Sequence, residues 1–187
     1  KTLWSKAWAF KDHGKSYAAV YEKQHAPGYR WLHESFGTNW RLTEMQSAIG
    51  RIQLKRMPTW TKIRNENAEK IFQVCRLYPW LVVPTVAYYK CYVFVDYDKV
   101  PEGISRDDIM NIINEFNVPC YSGTCSEVYK EKAFDQTGLQ PKVALQHAQS
   151  LGETSLMFLV HPTLTESEMN TVCQGLSQAL DIISNKA

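Results

Sequence analysis

The chain lacks any run of about twenty apolar residues, the length a helix needs to cross a bilayer, so no membrane span is expected. Its first residues show no basic stretch leading into an apolar core, so no secretory signal is visible. Cysteine is present in the wrong arrangement for a staple. The five are Cys75, Cys91, Cys120, Cys125 and Cys173, an odd number with no C-x-x-C pair, which argues against a disulfide framework and a zinc ribbon. Reduced, mostly buried thiols in a cytoplasmic protein are expected instead, with no metal site. Cys120 and Cys125 are five residues apart and have no further ligand nearby in sequence, so they do not make a redox or metal pair. Charge of one sign is also scarce. A net charge of +2 demands neither nucleic acid nor a membrane surface as partner. No repeat or low-complexity tract appears.

What is present is ordinary for a globular protein: 187 residues, 44% hydrophobic and 21% charged. A chain of this length buries enough surface to fold without disulfide or metal. It begins K-T-L-W-S-K-A-W-A-F with no Met, already in helical periodicity, with Trp4, Ala7, Trp8 and Lys11 on one face. The expectation is a stretch from within a longer polypeptide. Residues 1–14 read as a helix ending K-D-H-G. Gly14 suits the left-handed residue past the end, and Lys11 and His13 suit the negative end of the helix dipole.

Residues 15–40 show little periodicity, with a turn at Pro27-Gly28. Aromatic and basic residues alternate there: Tyr17, Tyr21, Lys23, Tyr29, Arg30, Trp31, then Trp40 and Arg41. Two readings stand side by side. Segment 15–41 could stack bases and neutralise phosphates as a binding module for nucleic acid or another polyanion. It could equally be a long ordered loop packed by its own aromatics over an interface.

The most informative stretch runs from Trp31 to Met57. A polar loop holding His33, Gly37, Asn39 and Arg41 leads into T-E-M-Q, a capping box in which the Thr43 hydroxyl and the Gln46 side chain satisfy each other's backbone N–H. Met45, Ala48, Ile49, Ile52 and Arg56 follow at helical spacing, so one face can be buried. Free N–H groups at a helix start, beside an Asn and an Arg, favour an anion such as a phosphate.

Downstream, Pro58 is expected to open a second helix, to about Arg76, with a stripe of Trp60, Ile63, Asn67, Ile71, Val74 and Leu77; Lys62 and Arg64 fall off that stripe. Trp80 to Val83 is a short extended piece between Pro79 and Pro84. Tyr88 to Tyr97 is a strand with Cys91, Val93 and Val95 on one face. Ser105-x-x-Asp108 opens a helix carrying Ile109, Ile112, Ile113 and Phe116. Residues 119–123 make a short edge strand, and residues 126–150 one or two short helices ended by Gly152. Ser155 to Val160 is a buried strand. Thr165-x-x-Glu168 caps a last helix striped by Met169, Val172, Cys173, Leu176, Leu180 and Ile183. The fold class is α/β: a small three-stranded, mostly antiparallel sheet covered on one face by helices. Residues 1–57 read as part of a neighbouring unit and 58–187 as a small domain.

The run G-T-N-W-R-L-T-E-M-Q-S-A-I-G resembles the G-x-N-x-R-[ML]-[TS]-[ED]-[ML]-Q-A-A-[IL]-G segment of DegT-type sugar-nucleotide aminotransferases, which are pyridoxal-phosphate (PLP) enzymes of aminotransferase fold type I. V-P-C-Y-S-G-T-C-S-E-V-Y-K-E-K-A-F and L-G-E-T-S-L-M-F-L-V-H-P-T-L-T-E-S-E-M extend the likeness over nearly the whole chain. The resemblance implies the end of a large PLP-binding domain (1–57) with a dimer-crossing loop, then a small C-terminal α/β domain (58–187). It implies transfer of an amino group from glutamate to a nucleotide-linked keto-sugar for surface polysaccharide synthesis, in a cytoplasmic homodimer with neither nucleic acid nor membrane as partner. Asn39 matches the Asn that reaches the PLP phosphate of the opposite subunit. Arg41 matches the Arg two places on, which serves the phosphate region, a carboxylate, or only the bracing of the loop. His33 and His161 match positions near the active-site mouth and are the substrate-binding candidates; for His161 a purely structural His-Pro turn is the alternative. No lysine of this chain lies in the family's Schiff-base context, so no catalytic residue is assigned and the chain alone is expected to be inactive. The segment from Cys120 to Cys125 departs from the basic and aromatic residues usual in the family, which leaves the sugar open.

Overall fold

The computed structural model describes residues 2–24, 32–85, 89–134 and 137–185. The chain divides into two compact units, Lys1–Arg56 and Met57–Ala187.

In the first unit, helix α1 (Thr2–Lys11) ends as the sequence predicts. His13 and Gly14 take left-handed backbone, φ 59° and 86°, and the Gly14 N–H returns to the Ala9 carbonyl at 2.8 Å. Residues 12–15 then pair antiparallel with residues 33–39, with bridges Asp12↔Asn39 and Lys15↔His33. The stretch after residue 15 is not all loop. Ser16 accepts from the Ala19 N–H at 3.0 Å and caps a short helix, α2 (Tyr17–Tyr21). Its Tyr17 ring meets Trp4 at 5.3 Å and Trp8 at 5.4 Å, both edge-on. Tyr17 is thus used for packing, while Tyr21 and Trp40 of the same segment stay largely exposed. The Pro27-Gly28 turn, with Tyr29, Arg30 and Trp31, lies outside the described residues.

Helix α3 runs unbroken from Glu44 to Cys75, 32 residues with Pro58 inside it. The expected start of a new helix at Pro58 is therefore corrected. A proline in a helix interior costs about 3 kcal/mol, through one lost hydrogen bond and a clash with the carbonyl four residues back. Burial of Asn67, Ala68, Ile71, Phe72 and Cys75 further along is large enough to carry that cost. The predicted cap is present: the Gln46 N–H donates to Thr43 Oγ1 at 3.3 Å and the Thr43 N–H to Gln46 Oε1 at 3.0 Å. The stripe behind it is not buried in this chain. Met45, Ile49 and Ile52 are all more than half exposed.

In the second unit four strands form one antiparallel sheet in the order β1-β2-β4-β3: β1 (Leu81–Val82), β2 (Cys91–Val95), β3 (Cys120–Tyr121) and β4 (Ser155–Phe158). The small antiparallel sheet is as expected, with one strand more. The extended piece between Pro79 and Pro84 pairs with β2 through Leu81↔Val95 and Val82↔Phe94. Cys91 and Cys120 both face Phe158 across β4, which sets the register of three strands at one level.

Cys91, Val93 and Val95 point into a core closed by α3, α4 (Arg106–Glu115) and α6 (Glu166–Ser184). Ser105 with Asp108, and Thr165 with Glu168, make complete capping boxes. Helix α5 (Gln146–Thr154) continues past Gly152 rather than ending there. A glycine inside a helix costs only about 1 kcal/mol, which neighbouring turns absorb. Leu151 of α5 lines a cavity with Tyr92 and Phe94, so the second face of the sheet also carries a helix, contrary to the one-sided expectation.

Candidate functional site

The polar loop before α3 is held by main chain on both sides of Asn39. The His13 N–H donates to the Thr38 carbonyl at 3.0 Å, the Thr38 N–H to the Phe10 carbonyl at 2.7 Å, and the Trp40 N–H to the Lys11 carbonyl at 3.2 Å. These bonds, with the Asp12↔Asn39 bridge, set the direction in which Asn39 and Arg41 leave the backbone.

The side chains complete the constellation. Arg41 Nε donates to Asn39 Oδ1 at 3.2 Å. Arg41 Nη2 lies 3.2 Å from Asp12 Oδ1, and His13 Nδ1 lies 3.5 Å from the same oxygen. Asp12 is buried at 8% exposure, yet its Oδ1 makes no aligned hydrogen bond. The Asp12–Arg41 contact is therefore an ion pair by distance and charge, without hydrogen-bond geometry. With the Asn39 oxygen committed to Arg41, the two N–H donors on Asn39 Nδ2 have no partner among the described residues. An exposed amide with two open donors, beside a guanidinium whose charge Asp12 partly balances, is a donor set for a phosphate oxygen. The first-turn N–H groups of α3 at Glu44 and Met45 add donors without an intrahelical partner.

Asp12 was not singled out by its sequence context. The available signal was its position: a carboxylate at the negative end of a helix is unfavourable unless a cation answers it.

His33 lies in the same unit. Its backbone bridges Lys15, its side chain is exposed, and no contact joins it to Asn39 or Arg41. His161 belongs to the second unit. Its Nδ1 lies 2.7 Å from Thr163 Oγ1, and its carbonyl accepts from Asn67 Nδ2 at 3.4 Å and from the Leu164 N–H at 3.2 Å. The backbone of His161 thus serves the turn into α6, while its Nε2 has no hydrogen-bond partner among the described residues.

The thiols sit apart from this chemistry. Burial pushes Cys91 and Cys120 up to about 12 and Cys75 higher still, which keeps all three protonated. Among the described residues, no group of three or more His, Cys, Asp or Glu side chains is placed to hold a metal ion. No helix of the structure, among the described residues, is long and apolar enough to cross a membrane.

The model of the DegT/DnrJ/EryC1/StrS aminotransferase family matches residues 1–177. No curated protein matches the chain. An aminotransferase from Psychrobacter cryohalolentis has a solved structure with 57% identity and a TM-score of 0.84, covering 98% of this chain and 50% of that one. NtdA from Bacillus subtilis, solved with bound cofactor PMP, is 19% identical with a TM-score of 0.71, covering 97% of this chain and 40% of its own. GDP-4-keto-6-deoxymannose-3-dehydratase (ColD), an H188N mutant with bound GDP-perosamine, is 19% identical with a TM-score of 0.66, over 90% and 46%. The last two likenesses concern the fold. This chain spans half the length, or less, of these three structures.

Proposed function

The chain belongs to the DegT/DnrJ/EryC1/StrS aminotransferase family, and from that membership we propose that it forms part of a PLP-dependent enzyme that moves an amino group from glutamate to a nucleotide-linked keto-sugar. In this reading residues 1–57 end the cofactor-binding domain and residues 58–187 form the small domain. The product feeds surface polysaccharide synthesis in the cytoplasm, and the working unit is a homodimer.

One observation carries the reading: in G-T-N-W-R-L-T-E-M-Q, Asn39 keeps both amide N–H donors open while Arg41 holds its oxygen. That donor set fits a phosphate monoester. Asn39 would hold a phosphate oxygen of the cofactor of a second copy without adding charge. Arg41, steadied by Asp12 at 3.2 Å, would supply positive potential beside it. When bound, PLP supplies the electron sink that makes amino-group transfer possible. The pairing of residues 12–15 with 33–39 keeps Asn39 in place before the cofactor arrives, so little ordering cost falls on binding. His33 and His161 remain the candidates for contact with substrate at the mouth of the site. PMP in NtdA and GDP-perosamine in ColD support the cofactor and substrate classes by fold likeness.

The test uses two proteins: this chain, and one extended to the length of the Psychrobacter aminotransferase. With PLP, glutamate and a nucleotide-linked keto-sugar, the long form should form the amino-sugar and 2-oxoglutarate, and the 187-residue chain should form neither. A long form that binds no PLP, or a short form that transaminates, would overturn the assignment.

A further inference from the structure

A cavity of about 190 Å³ lies in the second unit where β2 begins and β4 ends. Three basic side chains from distant parts of the sequence line it: Arg64 from α3, Lys90 from the residue before β2, and His161 from the turn after β4. Tyr89, Leu159 and Val160 supply part of the remaining wall, and no carboxylate lines it.

The cations are prepared rather than neutralised. Arg64 Nη1 donates to the Tyr89 carbonyl at 3.2 Å and its guanidinium carbon lies 5.4 Å from the Tyr89 ring centroid. That fixes the fork and leaves four of its five N–H donors uncommitted among the described residues. Lys90 has neither an ion pair nor a hydrogen bond among the described residues. His161 Nδ1 is engaged with Thr163 Oγ1, so Nε2 is the end left open. Six other cations of the unit (Lys62, Lys70, Arg76, Lys99, Arg106 and Lys130) each sit against a carboxylate. Lys132 and Lys142 also have no ion pair among the described residues, but neither lines this cavity, and Arg64 and Lys90 are the two such cations that share it.

We propose that this cavity binds the diphosphate bridge of a nucleotide diphosphate. The name of the ligand rests on the nucleotide-linked substrate proposed above; the anion site itself does not. The cavity is smaller than the roughly 300–1,000 Å³ that encloses a whole drug-sized ligand, so it suits one charged group of a larger molecule. Arg64 and Lys90 bring two permanent positive charges. A doubly charged diphosphate bridge answers both within one small group, whereas the two carboxylates of glutamate stand three carbons apart and one of them carries an ammonium beside it.

Calorimetric titration of the 187-residue chain with inorganic pyrophosphate, and separately with glutamate, tests the site. Saturable pyrophosphate binding is expected, weakened about tenfold by Lys90→Gln and about tenfold by Arg64→Gln, with melting temperatures unchanged. Absence of saturable binding in the folded wild type would overturn the proposal, as would binding that both variants retain. Glutamate bound as tightly as pyrophosphate, and lost in the same variants, would overturn the diphosphate assignment. In the long form, Lys90→Gln should raise KM for the nucleotide sugar. If that enzyme turns over with unchanged KM, the cavity proposal falls and the function stands. If pyrophosphate binds here through Arg64 and Lys90 but no nucleotide sugar is turned over, the anion site stands and the substrate class falls.

Discussion

Gly14 and Gly37 meet backbone to backbone. A Cβ on Gly37 would lie 2.4 Å from the Gly14 nitrogen and 2.7 Å from the Phe10 carbonyl oxygen. Gly14 also holds φ +86°, and a Cβ there would run into the Ser35 carbonyl. The close approach is what lets residues 12–15 pair with 33–39 and so sets the position of Asn39. Gly37→Ala should therefore act at a distance from its own position. The expected loss is about 1–3 kcal/mol, the usual cost of forcing atoms into a packed site. Hydrogen exchange at the His13 and Thr38 amides should accelerate. Unchanged protection at both would show that the crossing does not depend on glycine.

Asn39 tests the phosphate reading by chemistry rather than size. In the long form, Asn39→Ala removes two donors and should weaken PLP retention about tenfold. Asn39→Asp keeps the shape but sets a carboxylate against a phosphate, so it should weaken retention further. Dialysis followed by the absorbance of the bound cofactor measures both. Equal retention in wild type and the Asp variant would remove the phosphate from this position.

The cap of α6 predicts a pH dependence. The Thr165 N–H, and then the Thr165 hydroxyl, hold the Glu168 carboxyl below its ordinary value. A carboxylate whose folded value is depressed stabilises the fold above its unfolded value. That contribution is lost as pH falls through the folded one. Glu168→Gln should thus change stability little in strong acid and lower it near neutrality. Thr165→Ala should cost about 1 kcal/mol by loss of the cap. Denaturant midpoints between pH 3 and pH 7 would show whether the acid limb flattens as expected.

The thiols should divide by accessibility. Cys125 is exposed, Cys173 half-buried, and Cys75, Cys91 and Cys120 buried. Burial also raises the last three and Cys173, so the thiolate is scarce at each. A thiol reagent near pH 8 should label Cys125 first and Cys173 slowly, leaving three until denaturant is added. Labelling sites read by mass spectrometry decide it; early modification of Cys91 or Cys120 would contradict the packing.

Local chemistry made much of this protein readable from its residues alone. The capping pairs at Thr43, Ser105 and Thr165, the alternation of Cys91, Val93 and Val95, and the stripe of α6 all involve residues within a few positions of one another. The run around Asn39 was readable for a different reason, because many consecutive side chains together specify a family. The tertiary structure decided what depends on residues far apart. It kept α3 whole through Pro58, because the burial that outweighs the proline lies a dozen residues further on and against other elements. It added β1 as a fourth strand through a partner, β2, about ten residues away. It set Asp12 against Arg41, and it brought Arg64, Lys90 and His161 to one cavity. Hydrogen-bond and helical periods act over a few residues and leave a mark in the sequence; ion pairing and cavity shape act through space, and a misplaced charge such as Asp12 shows only that a partner is needed, not which one.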